Sequence, residues 1–384
     1  MQKIFRRSQP VGEAFGVVLV YPEKRERGVK KASGGGGLEV ATFRTEGVYS
    51  DGRHPDTVEF SDAQHDAQRR DFTINGLFED PGELQGSVDD QRTPLPPDIQ
   101  TQTLPDNSII LDHVGGLADL EAKTLRAIGD PDRRFAEDYL RMLRAVRFTT
   151  RLGFTLDPAT AEAIRTHALR LDRIARERIG GELYAMFAKP GRSQAVSLLE
   201  NLGLDEPVLN ESHRLSSTNT LLRLPNEAHF PAVLATWMID RHGLAVATQS
   251  RVKHWRDALC LSNNETNSLA SILHQLNAAE DWPTMTTAAR KRLLSRTDWD
   301  QTILVLRASG RAAAIDTDTP SLIEDGVGLA PPPFVDGADL IALQLKPGPH
   351  FKTLLDDAYD AQLEGRVQDR EQALVWVRDR AVNT

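Results

Sequence analysis

Apolar residues along this chain change their spacing partway. Val11 to Tyr21 and Leu38 to Arg44 are rich in β-branched and aromatic residues, with the glycine run Gly34–Gly37 before the second. That pattern predicts two paired strands joined by a long basic loop. Residues 45–68 carry Gly, Pro, Asp and His without periodicity and read as a loop. Residues 82–108 hold Gln, Asp, Pro and Thr with almost no apolar side chains, the composition of a solvated insertion. From about Asp132 the spacing turns helical almost to the end, with stops at Gly153, Pro158, Gly180, Pro190, Gly203 and Pro207. Ala312 to Pro333 reads as loop, and Gly337 to Arg366 as two helices about a Lys-Pro-Gly-Pro turn at 346–349.

Residues 138–148 show the sharpest helical pattern. Placed at steps of about 100° per residue, Tyr139, Met142, Leu143 and Val146 form one apolar stripe. Asp138, Arg141, Arg144 and Arg147 fall across the other half, with Arg141 and Arg144 at its centre. A carboxylate accepts from base amino groups, and a guanidinium donates two parallel bonds to a base edge or a phosphate. This face therefore suits a nucleotide. By spacing alone the commoner reading is a solvated face in which Asp138 and Arg141 pair at i, i+3.

Composition narrows the classes. A length of 384 residues implies more than one domain. The single cysteine, Cys260, excludes an intrachain disulfide and a cysteine-rich zinc site, which fits a reducing cytoplasm. No run approaches the roughly 20 apolar residues needed to span a bilayer. A net charge of −9 runs against nucleic-acid binding as a whole, but arginines cluster in the first half, at Arg69–Arg70, Arg133–Arg151 and Arg165–Arg178. Any one such cluster also reads as solvated surface.

The ordered segments Leu38-Glu-Val-Ala-Thr-Phe-Arg44, Arg69-Arg-Asp-Phe-Thr-Ile-Asn-Gly-Leu77, Asp112-His-Val-Gly-Gly116, Leu125-Arg-Ala-Ile-Gly-Asp-Pro131 and Arg134–Phe148 together resemble the class II nucleotidyltransferases that extend RNA 3′ ends. These are the bacterial CCA-adding tRNA nucleotidyltransferases and related poly(A) polymerases. Leu152-Gly-Phe154 and Ala175–Leu183 continue the resemblance in order. It implies an α+β fold: a nucleotidyltransferase head with a small mixed β-sheet over 1–129, interrupted at 82–108. A helical neck carrying the nucleotide-reading helix follows over 130–205, and a helical, RNA-binding body and tail over 206–384.

By the same resemblance Arg70 contacts the incoming triphosphate, Asp71 helps hold the sugar and Asn75 supports the strand. Asp138 and Arg141 pair with the base edge, Arg144 and Arg147 complete the pocket, and Ala175–Leu183 stiffens the helix without touching substrate. Taken one at a time, Asp71 also reads as a helix cap and Asn75 as a turn residue. The implied partners are ATP, CTP and an RNA 3′ end, foremost tRNA, with Arg165, Arg170, Arg173, Arg176 and Arg178 on the RNA-facing half.

The implied cofactor is Mg²⁺, held in that family on an Asp-x-Asp pair after a Gly-Gly-x-Val-Arg-Asp segment. Met1 stands where that segment should already have ended, so the head is expected to be truncated at its N-terminus and the chain inactive or impaired. Asp130/Asp132, Asp298/Asp300 and Asp316/Asp318 have the spacing, but none follows a glycine-rich turn on an early strand. They read as helix caps and loop acids. Glu39 on the second strand remains as the candidate catalytic third carboxylate and metal ligand, balanced against an ordinary exposed strand residue. CCA addition is the expected activity; poly(A) addition and a non-catalytic RNA- or nucleotide-binding remnant are the alternatives.

Overall fold

The computed structural model describes residues 7–12, 17–21, 37–46, 58–80, 99–105 and 108–382. The chain divides into two compact units, one of Met1–Ile179 with Leu202–Pro207, the other of Gly180–Asn201 with Val208–Thr384.

The first unit is mixed α+β, as expected. Strands β1 (Ser8–Gly12), β2 (Val17–Val20) and β3 (Leu38–Ala41) form an antiparallel sheet in that order, with Val18 opposite Val40 and Leu19 opposite Glu39. The single strand expected over Val11 to Tyr21 is therefore two strands, and the expected basic loop, 22–36, lies outside the described residues. Pro10 sits where the β1–β2 register slips, an edge position at which its missing N–H costs the ladder little.

The expected loop over residues 45–68 is a second correction. Strands β4 (Arg44–Glu46) and β5 (Val58–Phe60) pair antiparallel, and helix α1 (Ala63–Gln68) follows. Asp62 caps α1 by accepting the His65 N–H at 2.9 Å. These elements are short, which hides them from periodicity.

Strands β6 (Leu77–Asp80), β7 (Gln100–Thr103) and β8 (Ile109–Asp112) form an antiparallel sheet in the order β6-β8-β7. Part of the expected insertion is thus an edge strand. All of β7 is exposed, so only its ladder with β8 marks it as a strand. Of the insertion, residues 82–98 and 106–107 lie outside the described residues.

Asp112 ends β8 and receives the backbone N–H groups of Val114, Gly115, Gly116 and Leu117 at 2.9–3.0 Å. This closes the turn into α2 (Gly116–Glu121). Gly115 has φ +82°, and a Cβ on Gly116 would lie 2.3 Å from the Thr73 carbonyl oxygen, so both glycines of Asp112–Gly116 are required by backbone geometry.

Strand β9 (Thr124–Leu125), helices α3 (Pro131–Glu137) and α4 (Leu140–Leu152), strand β10 (Thr155–Leu156) and helix α5 (Pro158–His167) complete this unit with the first turn of α6 (Arg176–Phe187). Met142, Leu143 and Val146 of α4 are fully buried with Phe72, Leu125, Phe135 and Ile164, as the apolar stripe predicts, whereas Tyr139, its fourth member, precedes α4 and is half-buried. Each such side chain contributes about 1.5–3 kcal/mol relative to exposure. Phe72 bridges the two halves of the core, pairing with Ala127 through the backbone and meeting the Phe148 ring edge-on at 5.9 Å.

The second unit is helical. It holds most of α6, α7 (Arg192–Asn201), the end of α8 (Asp205–Leu209), α9 (Asn219–Arg223), α10 (Phe230–His242), α11 (Gln249–Leu259) and α12 (Asn263–Ala278). Helices α13 (Thr287–Leu294), α14 (Trp299–Ala308), α15 (Ala313–Glu324), α16 (Gly337–Ala342), α17 (Pro349–Leu363) and α18 (Arg370–Val382) follow.

Two expectations fail here. Ala312 to Pro333 is not all loop, since α15 runs through Pro320. Gly180 does not end a helix but lies inside α6, where a Cβ would come within 2.0 Å of the Leu259 carbonyl oxygen. Trp237 and Trp255 pack edge-to-face at 5.2 Å in the core, and the Arg241 guanidinium, buried with them, bonds to Glu200, Glu211 and the carbonyls of Ser212 and Arg214.

Candidate nucleotide-binding site

The site is built where α1 ends, where the Thr73–Asn75 turn begins and where α4 starts. Asp66 organises the first part. It is 2% exposed, yet its Oδ1 accepts from Arg69 Nε and Nη2 at 2.9 and 2.7 Å and from the Arg44 N–H at 3.3 Å. Its Oδ2 accepts from Arg70 Nε and Nη2 at 3.1 and 3.0 Å. Arg70 also donates to the Asn75 carbonyl at 2.7 Å and stacks its guanidinium 4.5 Å above the Phe78 ring. Two adjacent arginines are thus held side by side by one buried carboxylate. That leaves a concentration of positive charge at the helix end, suited to phosphate.

Asp71 forms the second hub and is 7% exposed. Its Oδ1 accepts from the Phe72 N–H at 3.0 Å and from Asn75 Nδ2 at 2.9 Å. Its Oδ2 accepts from Arg144 Nε at 2.8 Å and Nη2 at 2.5 Å. Asp71 caps no helix side-on; it ties the turn to α4. Asn75 is a turn residue, as its residue type alone allows, and is oriented by Asp71.

The base-facing pair departs from the helical plot. Asp138 is not on the face of α4 but precedes it in extended conformation, φ −150° and ψ 105°, between α3 and α4. Its Oδ1 accepts the Leu140 N–H at 3.0 Å and its Oδ2 the Arg178 Nη2 at 2.8 Å. Arg141 is not an exposed face residue either, being only 9% exposed. Its guanidinium donates to Glu137 at 2.5 Å, to the Arg134 carbonyl at 3.0 Å and to the Arg69 carbonyl at 3.2 Å. The i, i+3 ion pair between Asp138 and Arg141 is therefore replaced by two separate pairs. The plot failed because the extended backbone at Asp138 breaks the helix it assumed.

Arg144 and Arg147 lie one and two turns further along α4, with guanidinium carbons 5.2 and 4.5 Å from the Phe148 ring centre. Arg141 reaches the Arg69 carbonyl and Arg144 reaches Asp71, so α4 and the Arg69–Asn75 segment are fastened at two points. Sequence reasoning missed Asp66, Glu137 and Arg134. Asp66 lies three and four residues before the arginines it holds, and Glu137 four before Arg141, so helical spacing was a usable signal for both. Arg178 is 40 residues from Asp138, and no local pattern marks that pairing.

Glu39 is exposed on β3. Among the described residues no group of three His, Cys, Asp or Glu side chains stands close enough to hold a metal ion. The Asp-x-Asp pairs have structural partners. Asp130 caps α3, Asp298 accepts from Ser268 Oγ, Asp316 pairs with Arg307, and Asp318 pairs with Arg290 and Trp282 Nε1. Of the expected RNA-facing cations, Arg165 pairs with Glu162, Arg176 donates to the Pro207 carbonyl and Arg178 is taken by Asp138, while Arg170 and Arg173 are exposed.

Paired arginines at a turn, fastened to a helix that an acid precedes and a guanidinium opens, on a small β head that leads into helices, suit a nucleotidyltransferase. Residues 1–126 match the Poly A polymerase head domain, and residues 153–215 match the probable RNA and SrmB-binding site of polymerase A. The CCA-adding enzyme of Lactobacillus johnsonii is 30% identical over 379 residues, 97% of this chain and 84% of that protein. That of Levilactobacillus brevis is 28% identical over 381 residues, 98% of this chain and 85% of that protein. The chain belongs to the family of CCA-adding enzymes and poly(A) polymerases. In fold it is similar to the Bacillus stearothermophilus CCA-adding enzyme solved in complex with CTP, with a TM-score of 0.70 at 24% identity over 99% of this chain and 85% of that one. Among the described residues no helix is long and apolar enough to cross a membrane.

Proposed function

We propose that this protein adds CMP and AMP to RNA 3′ ends without a nucleic-acid template, and that its substrate is tRNA lacking the terminal CCA. The observation that carries this reading is that Asp138 and Arg141 flank the start of α4, linked by the Arg141 N–H to the Asp138 carbonyl at 3.1 Å, with the Arg141 guanidinium bonded to the Arg69 carbonyl. Cytosine and adenine carry an amino donor where uracil and guanine carry a carbonyl. A carboxylate at Asp138 accepts from the first two and repels the second two, and Arg141 donates to the adjoining ring nitrogen. Protein side chains thereby take the place of a template.

In this reading Arg70 meets the triphosphate, supported by Asp66, with Arg144 and Arg147 beside it. Asp71 fills its acceptor sites with the Phe72 N–H, Asn75 and Arg144. Its part is therefore to fix Arg144 and Asn75, and a ribose hydroxyl reaches it by displacing one of these donors. The helical residues beyond 130 act as neck and the residues beyond 206 as body and tail, where RNA is held by shape and phosphate contacts.

Nucleotidyl transfer of this type uses divalent cations, Mg²⁺ above all, to neutralise the triphosphate and align the attacking oxygen. The described residues do not fit such a site, because Glu39 supplies one exposed carboxylate and no converging partner among them. The compartment consistent with tRNA maturation and a single exposed cysteine is the cytoplasm.

The test is incubation of the protein with tRNA lacking its 3′ CCA, Mg²⁺, CTP and ATP, followed by sequencing of the ends. Addition of C, C and A supports the proposal. Runs of A on any RNA assign poly(A) addition instead, and saturable CTP or tRNA binding without extension assigns a non-catalytic binding role.

A further inference from the structure

Asp138 is held from two sides, and only one of the holding groups belongs to the helix it precedes. Its Oδ1 caps the first turn of α4 through the Leu140 N–H at 3.0 Å. Its Oδ2 is met by Arg178 Nη2 at 2.8 Å, from the first turn of α6. Both side chains are largely shielded, at 23% exposure for Arg178 and 17% for Asp138.

The terminal torsion of an aspartate is soft and broad, so a single bond at Oδ1 leaves the carboxylate plane free to swing. The second bond, at the other oxygen, fixes the plane and with it the direction of the lone pairs left for a ligand. Arg141 has its own braces, in Glu137 and the Arg134 carbonyl of α3, the helix just before α4, and in the Arg69 carbonyl. The Asp138 brace comes from a different helix, 40 residues on.

We propose that Arg178 is a specificity-determining positioning residue: it aims the Asp138 acceptor at the base amino group, and so sets the preference for cytosine and adenine over uracil and guanine without itself touching the nucleotide. This rests on the base-reading role proposed for Asp138. It assigns a defined task to the Ala175–Leu183 segment, whose expected role was stiffening alone. Hydrogen-bonded recognition rejects the wrong base only while the acceptor direction is held, because a swinging carboxylate can relax away from an opposing carbonyl.

The experiment measures equilibrium binding of CTP, ATP, UTP and GTP to the full chain and to Arg178→Gln, Arg178→Met and Arg178→Lys, together with the thermal midpoint of each. For wild type, tighter binding of CTP and ATP than of UTP and GTP is expected. Arg178→Gln and Arg178→Met should lower the CTP-to-UTP preference about tenfold, the worth of one hydrogen bond, and change CTP affinity by less than that. Arg178→Lys, which keeps a cationic donor within reach of Oδ2, should recover most of the preference. A preference unchanged in whichever of the Gln and Met variants folds overturns the inference while leaving base reading intact. So does a uniform weakening of all four nucleotides that tracks a lowered thermal midpoint, since that marks a merely structural role. Equal binding of all four by wild type overturns the base-reading proposal itself, and this inference with it.

Discussion

Arg144 and Asp71 meet across 73 residues of chain, with Nε and Nη2 of the guanidinium 2.8 and 2.5 Å from the same carboxylate oxygen. The pair joins the turn that carries the arginine cluster to the helix at whose start the proposed base-reading residues lie. Breaking it leaves Asp71 buried with one oxygen unsatisfied. Arg144→Ala is therefore expected to destabilise the first unit by about 1–3 kcal/mol and to weaken CTP binding. Urea unfolding with CTP titration checks this; a variant with unchanged midpoint and affinity would show that the two segments are fastened elsewhere.

Asp66 carries more donors than any other carboxylate near the site. Asp66→Asn keeps the shape but removes the charge that faces two guanidinium groups, themselves partly exposed, and a lost charge-assisted bond costs on the order of 1.5–3 kcal/mol. The expected outcome is a strongly destabilised protein in which the remaining folded fraction loses its preference for triphosphate over monophosphate. Comparing CTP and CMP affinities reads this directly. Equal loss for both nucleotides would mean that Arg70 does not face the phosphates.

Gly180 tests how closely α6 approaches its neighbour. Adding a single methyl group puts carbon 2.0 Å from the Leu259 carbonyl oxygen, so backbone must move. Gly180→Ala should cost at least about 1–3 kcal/mol, the usual range for overpacking. The helix propensity of alanine favours the opposite sign. A stabilised variant in urea unfolding would therefore rule out the close approach.

His242 gives the second unit a pH signature. Burial pushes its imidazole below the ordinary histidine range, with the Arg251 and Arg241 charges adding to the shift and Glu211 opposing it. The unfolded chain, with a histidine near 6.5, then binds a proton that the folded unit refuses. Stability is full above that value and falls as pH drops through it. Burial also pushes Glu211 upward, but the Trp255 hydrogen bond and the His242 and Arg251 charges outweigh it and hold the group low, so its own contribution is lost only in more acid solution. Between pH 7.5 and 5.5, wild type should lose more stability than His242→Gln; equal losses would contradict this.

The parts of the fold and site that were legible share a physical reason. The stripe of Met142, Leu143 and Val146 is fully buried because periodicity and burial are the same fact seen twice. The two helices after residue 337 were legible from the turn between them. Strand β7 was not, because an exposed polar strand is specified by its partner β8 and not by its own side chains. Helix α15 was hidden by Pro320 and its acidic neighbours, although its buried Ile315 and Leu322 pack as in any helix. Gly180 looked like a stop because close backbone approach and chain termination both call for glycine. Arg70, Asp71, Asn75, Arg144 and Arg147 could be named from the sequence, but the carboxylates and guanidinium groups that orient them could be found only where helical spacing linked them. Arg178 needed the tertiary structure.

The central claim is that side chains at the start of α4 read the base. Its most direct measurement is the affinity of wild type and Asp138→Ala for CTP, ATP, UTP and GTP under one set of conditions. Wild type should bind CTP and ATP at least about tenfold more tightly than UTP and GTP, the worth of one well-placed hydrogen bond, and Asp138→Ala should lose most of that preference. Equal binding by wild type, or a preference undiminished by the loss of Asp138, contradicts it.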